Sequence, residues 1–337
     1  MMKFSNIKTQ IREIDTESLK LAKEIILSGG VIGMPTETVY GLAGDATNPT
    51  AVKKIFEVKG RPSDNPLIAH VHKDYDINKL VFIEHDYVYK IMDKFMPGPL
   101  TLVLNSKGVV CKEATAGGQT LAVRMPVHQG CQKFLKEVDI PIVAPSANLS
   151  KHTSPVSAKH VYDDLSGKIE LILDGGKCSG GIESTVLDCT GQIPRILRAG
   201  LITKEDIEQL VGSCEIAKHK EGDKVRSPGV KYTHYKPKCE TALFEEKDLE
   251  KAIALYNEYL SQGKKPYIMC ADYIDIKGYN ILSLGLTEQE IASNLYDKLL
   301  LGEKLADIII AIAMPNEKGI NLGIMNRMRR ACGSGEV

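Results

Sequence analysis

Between Lys218 and Lys238 the sequence breaks its own pattern, and that break does most to constrain the fold. Seven cations (218, 220, 224, 226, 231, 236, 238) face two anions (221, 223), and Pro228-Gly229 and Pro237 interrupt any regular element. A basic stretch punctuated by Pro and Gly between two patterned regions reads as a linker. The full 337 residues also exceed what one ordinary core accommodates. The expected division is a first domain over 1–212, a linker over 213–238 and a second domain over 239–337.

The first region alternates helix and strand patterns. Residues 15–29 read as an amphipathic helix capped by Asp15 or Thr16, burying Leu19, Ala22, Ile25 and Ile26 and ending at Gly29-Gly30. A strand over 31–34 leads into Pro35-Thr36-Glu37-Thr38. Asn48-Pro49 opens a second helix, with proline at the first helical position, that delivers Lys59 at its C-terminal end. Further strands are expected near 66–71, 100–104, 120–125, 141–144, 169–173, 184–188 and 195–198, and helices near 86–95, 129–138, 157–165 and 203–211. Short turns mixed with helical connections predict a twisted mixed α/β sheet. After the linker, strands at 240–245, 266–270, 280–284 and 307–313 alternate with helices at 248–261, 287–304 and 319–331. That pattern predicts a smaller open sheet of Rossmann type, but no G-x-G-x-x-G is present, so dinucleotide binding does not follow.

Lys plus Arg and Asp plus Glu both number 43, so no global field draws in nucleic acid. The early charges Arg12, Glu13 and Asp15 argue against a secretory segment, and the apolar run 308–314 is too short to cross a bilayer. Eight scattered cysteines form no C-x-x-C pair, which predicts idle thiols. A soluble, cytoplasmic protein is expected.

Two polar segments carry the strongest chemical signal. Lys59-Gly60-Arg61-Pro62 is either a solvated helix end or a phosphate grip, with Arg61 binding bidentately and Lys59 acting as a point charge. Pro145-Ser146-Ala147-Asn148 is either a simple turn or a pair of side chains, two residues apart, pointing into one cleft. No G-x-x-x-x-G-K-[ST] loop exists, so side chains would have to hold any nucleotide phosphate. Thr36 and Thr38 repeat the two-residue spacing. His70 and His72 do too, but no third ligand at a recognisable spacing supports zinc. Arg124, beside a buried run, calls for an anionic partner. Glu183-Ser184 and Arg198 also lie at strand ends. No nucleophile elbow, H-E-x-x-H or cysteine signature occurs, which favours catalysis by positioning and charge neutralisation over a covalent intermediate.

Together these segments resemble the threonylcarbamoyl-adenylate synthase family in its long two-domain form. The resemblance rests on Gly33-Met-Pro-Thr-Glu-Thr-Val-Tyr-Gly-Leu42, Lys59-Gly-Arg-Pro-Ser-Asp-Asn-Pro-Leu67, Pro97-Gly-Pro-Leu-Thr101, Val123-Arg-Met-Pro126, Ala144-Pro-Ser-Ala-Asn148, Glu183-Ser-Thr-Val186, Leu197-Arg198 and the linker run Ser227 to Pro237. It covers the chain from about residue 10 onward.

The resemblance implies an activity that combines L-threonine, bicarbonate or CO2, and ATP (with Mg²⁺) into threonylcarbamoyl-adenylate and pyrophosphate. Partner proteins would then transfer the threonylcarbamoyl group to an adenosine beside the tRNA anticodon. The family's Lys-x-Arg and Ser-x-Asn tetrad falls on Lys59, Arg61, Ser146 and Asn148. Asn65, Thr120, Ser154, Arg198 and Tyr235 would join these four in touching ATP. Thr38, His70, Arg124, Ala144 and Ser184 would touch threonine, and no protein-ligated metal is implied. Where the family commonly has Ser-Gly after Ser-Ala-Asn-x, this chain has Ser150-Lys151-His152, so a different turn is expected before Ser154. Tyr232, His234 and Tyr235 are expected to fold over the cleft as a shield, so truncation after Leu210 should lower activity. Two rival readings are a double-stranded RNA or tRNA-binding module, and the carbamoyl-adenylate chemistry of hydrogenase maturation. The missing C-x-x-C pairs count against the second.

Overall fold

The computed structural model describes residues 7–63, 65–217 and 235–333. Most of the basic linker, including Tyr232 and His234, lies outside the described residues.

The N-terminal region builds one mixed sheet. Along its main path the order is Gln10–Glu13, Leu171–Asp174, Ile32–Met34, Gly41–Asp45, Ile142–Val143, Ile68–His70, Thr120–Arg124, Leu100–Ser106, Thr185–Asp188, Arg195–Arg198 and Glu215–Ile216. Val81–Phe82 pairs with Leu100–Ser106 off this path. Parallel and antiparallel neighbours alternate irregularly, as the mixture of hairpin and helical connections requires. The last strand, Glu215–Ile216, pairs with Arg195–Arg198, so the sheet runs past the expected boundary at 212. Both of its residues are exposed, and two such residues give no alternation to read.

The two capped helices form as their ends dictate. Asp15 accepts from the Ser18 amide and Ser18 returns a bond to the Asp15 amide, opening Thr16–Leu27 with a capping box. Asn48 accepts from the Thr50 and Ala51 amides and opens Pro49–Lys59. That helix stops at Gly60, whose φ of +60° is the left-handed conformation glycine adopts without a side-chain clash. Lys59 and Arg61 thus sit on either side of a fixed bend.

The C-terminal region forms a four-stranded parallel sheet in the order Glu240–Phe244, Ile308–Ile312, Pro266–Cys270, Ile281–Ser283. The intervening helices are Leu249–Ser261, Glu288–Leu305 and Ile320–Cys332. The last two turn their apolar faces onto the N-terminal region. One continuous cluster of buried side chains joins Val39, Tyr40 and Ile182 to Leu295, Tyr296 and Met328. Among the described residues, no helix is long and apolar enough to cross a membrane.

Candidate active site

A cleft of about 630 Å³, measured out to its open mouth, lies over the short central strands of the large sheet. Ile68 and His70, two residues apart on one strand, both line it, as alternation along a strand requires. Parallel pairing sets His70 directly beside Arg124. The lining also includes Thr38, Arg61, Ala144, Ser146, Asn148, Ser154, Ser184, Arg198 and Tyr235.

Lys59 sits beneath this surface, almost fully buried. Its Nζ donates to the Ser146 carbonyl, to the Asn148 carbonyl (2.7 Å) and to Asn148 Oδ1 (3.2 Å). Burial pulls its pKa well below the ordinary lysine value, and Arg61 adds to that; Asp164 opposes it. Three oxygens around Nζ match the three protons of an ammonium, so the lysine ties down the loop that presents Ser146 and Asn148. Ser146 Oγ donates to Asn148 Oδ1 at 2.5 Å, and Asn148 Nδ2 donates to the carbonyls of Leu149 and His152. The loop is further laced to Tyr40 and Leu42 through backbone hydrogen bonds of 2.7–2.8 Å.

At Arg124 the sequence called for an anion, and Glu37 supplies it, with Oε1 2.7 Å from Nη2. Thr36 Oγ1 lies 2.6 Å from the Val39 carbonyl, which cannot donate, so the Thr36 proton is committed there. Thr36 Oγ1 also accepts from the Thr38 and Val39 amides at 3.1 and 3.2 Å, so its bonding is filled and the Thr38 hydroxyl, 2.9 Å away, is open both to donate and to accept toward the cleft. His70 Nδ1 lies 3.0 Å from the Ile68 carbonyl, which places the ring proton on Nδ1 and leaves Nε2 an acceptor. Burial, with help from Arg124, pushes the His70 pKa down to about 3, so the ring is neutral near pH 7. Ser184 Oγ lies 2.8 Å from Thr101 Oγ1 and accepts from Arg198 Nη2 at 3.2 Å.

Asn65 and Thr120 stand outside the lining. Asn65 is fully buried, and neither atom of its amide has a hydrogen-bond partner among the described residues. Such an orphan ordinarily costs about 1–3 kcal/mol. Thr120 opens the strand that Arg124 closes, roughly 13 Å away at 3.3 Å per residue. His72 Nε2 donates to Asp139 Oδ1 at 3.0 Å rather than pairing with His70. Among the described residues no cluster of three or more His, Cys, Asp or Glu could hold a metal.

Two lining groups were not singled out as site residues from sequence. Glu183 precedes a strand but gave no sign of the partners that surround it. His152, noted there as a departure from the family pattern, bridges Asp164 (Nδ1, 2.8 Å) and Glu303 (Nε2, 2.8 Å). The turn before Ser154 has a simple basis: Lys151 takes a φ of +73° where glycine is common.

Guanidinium groups, hydroxyls and a neutral imidazole thus share one hollow over the mixed sheet of an α/β protein. Residues 24–200 match the Sua5/YciO/YrdC family model, described as "Telomere recombination". Residues 202–333 match the threonylcarbamoyl-AMP synthase C-terminal domain. The threonylcarbamoyl-AMP synthase of Pyrococcus abyssi is 39% identical over 338 residues, covering 97% of each chain. That of Bacillus subtilis is 40% identical over 336 residues, covering 95% of each. The crystal structure of P. abyssi Sua5 complexed with L-threonine superposes with a TM-score of 0.89 at 38% identity, covering 98% of both chains. The chain belongs to the threonylcarbamoyl-AMP synthase family, in its two-domain form.

Proposed function

We propose that the cleft joins L-threonine, CO2 drawn from bicarbonate, and ATP into threonylcarbamoyl-adenylate, releasing pyrophosphate. The observation that carries this reading is the presence, in one cavity, of guanidinium groups beside a neutral imidazole whose free nitrogen is fixed as an acceptor. Arg124 takes the threonine carboxylate. His70 Nε2 accepts a hydrogen bond from its amine or hydroxyl, the Thr38 hydroxyl bonds beside it, and Ala144 and Ser184 complete that side. Of the tetrad, Arg61, Ser146 and Asn148 face the triphosphate and Lys59 braces the Ser146–Asn148 loop from beneath, with Asn65, Thr120, Ser154, Arg198 and Tyr235 as further ATP contacts. The relative whose structure was solved with L-threonine supports threonine as one of the ligands.

The amine nitrogen adds to the carbon of CO2 and loses a proton, giving a carbamate. A carbamate oxygen then bonds to the α-phosphorus as the bond to the bridging β-phosphate oxygen breaks, and pyrophosphate leaves. His70, with so low a pKa, orients the amino acid rather than taking its proton. Arg61 spreads the developing charge, and the positive field of Lys59 lies directly under the loop. Mg²⁺ would come with the ATP, because Glu183, the one carboxylate in the lining among the described residues, is already engaged by protein donors. The threonylcarbamoyl group would pass in the cytoplasm, through separate transferase proteins, to adenosine beside the tRNA anticodon. The domains are a first unit over 1–212, whose sheet gains the short edge strand Glu215–Ile216 from the linker 213–238, and a second over 239–337.

Mass spectrometry of products from ATP, bicarbonate and threonine, omitting each in turn, tests the reading. Threonylcarbamoyl-adenylate should need all three. Serine should react weakly, since one methyl is worth about 1–3 kcal/mol, and valine hardly at all, because it leaves a buried acceptor unpaired. Adenylate formed equally well without threonine would overturn the proposal. Lys59→Ala should cut threonine-dependent pyrophosphate release by about 10²–10³ with an unchanged circular dichroism spectrum.

A further inference from the structure

The carboxylate of Glu183 lines the cleft, yet two of its partners come from the C-terminal region. Arg327, on helix Ile320–Cys332 and fully buried, places Nε 3.1 Å from Glu183 Oε2. Tyr296, on helix Glu288–Leu305 and also fully buried, donates its hydroxyl to the same carboxylate at 3.0–3.2 Å. From the cleft side, Ser154 Oγ donates to Glu183 Oε1 at 2.7 Å. Burial alone would push the Glu183 pKa up, but Arg327, Arg198 and Ser154 hold it at about 2, so it is ionised at neutral pH. Tyr296 also stacks on Tyr235, with ring centroids 5.2 Å apart.

The two regions meet too closely around this carboxylate for the contact to be loose. A side chain at Gly323 would come within 3.3 Å of the Gly200 Cα, and one at Gly181 would strike the Ala292 carbonyl at 2.3 Å. Arg327 Nη1 also donates to the Ala199 carbonyl. The segment 181–200 is therefore gripped on both sides of Glu183 by C-terminal helices.

We propose that Arg327 and Tyr296 are positioning residues for the nucleotide half of the cleft: they neutralise and orient Glu183, which in turn orients Ser154 and lies beside Arg198. The proposal rests on the ATP site proposed above. A carboxylate facing a triphosphate repels it unless its charge is offset from behind, and Arg327 provides that offset. Among the described residues, the hydrogen bonds and ion pair of Arg327 go to Glu183, Ala199 and Gly323, whereas the threonine half is built on the separate Arg124–Glu37 pair. Loss of Arg327 should therefore weaken ATP binding selectively.

The test uses the full-length protein, with ATP binding by calorimetry and separate KM values for ATP and threonine. Arg327→Met should raise the ATP Kd and KM at least tenfold with the threonine KM unchanged. Arg327→Lys should recover part of the loss. Tyr296→Phe, which keeps the ring stack, should raise the ATP values about threefold. Because Arg327→Met leaves a buried charge unpaired and can fail to fold, Glu183→Gln/Arg327→Met removes both charges. That double variant should fold and bind ATP more tightly than any folded Arg327→Met. Unchanged ATP affinity in a folded Arg327→Met, or equal effects on both substrates, would overturn the proposal. So would Tyr296→Phe and the double variant both binding ATP like the wild type. If the wild type binds ATP yet makes no adenylate, the proposed activity fails while the binding comparison still stands.

Discussion

At the scale of single residues, the most unusual positions are Lys151, on the exposed turn, and His152, which follows it into the cleft wall. Lys151 holds the left-handed backbone at some steric cost, which glycine would remove, offset in part by glycine's freer unfolded chain. Lys151→Gly should raise the urea midpoint slightly, by well under 1 kcal/mol; a clear loss of stability would show that the lysine side chain contributes instead. Burial works against a charged His152, but Asp164 and Glu303 outweigh it and raise its pKa to about 9. A folded-state pKa above the unfolded value gives stability that is complete below about 6.5 and is lost as pH rises through 9. The melting temperature should fall across that window, and His152→Gln should flatten this part of the profile. An identical slope in that variant would assign the effect elsewhere. The hydroxyls, amides and cations of the cleft were legible because they fall within motifs. Glu183's partners were not, since a buried Arg327 more than a hundred residues away leaves no local trace. Nor did spacing show that Lys59 would point beneath the surface rather than into it.

At the scale of elements, cap chemistry and apolar periodicity made every helix of eight or more residues readable, including Asp86–Phe95 and Glu288–Leu305. The strands that escaped were those without alternation. Gln10–Glu13 is exposed along its whole length, and Gly41–Asp45 is mostly buried and rich in glycine. Such strands owe their place to neighbours in the sheet rather than to their own composition. The Asn48 cap gives a direct test of local control. Asn48→Ala should cost about 1 kcal/mol in urea unfolding, while Asn48→Asp should cost little. Equal losses in both would mean that the side chain serves packing instead of the helix amides.

For the whole molecule, the shared core argues against two self-sufficient halves. A chain ending at residue 217 uncovers the surfaces that Leu295, Tyr296 and Met328 now bury. It should bind a hydrophobic dye, aggregate in size-exclusion chromatography and lose adenylate formation. A monomeric, fully active fragment would show the C-terminal region to be dispensable. The tight apposition of Gly200 and Gly323 also has a temporal side. At ordinary translation speeds the first of these leaves the ribosome on the order of ten seconds before the second. For that interval the newborn sheet waits with the surface around Glu183 and Gly200 uncovered until the last helix arrives.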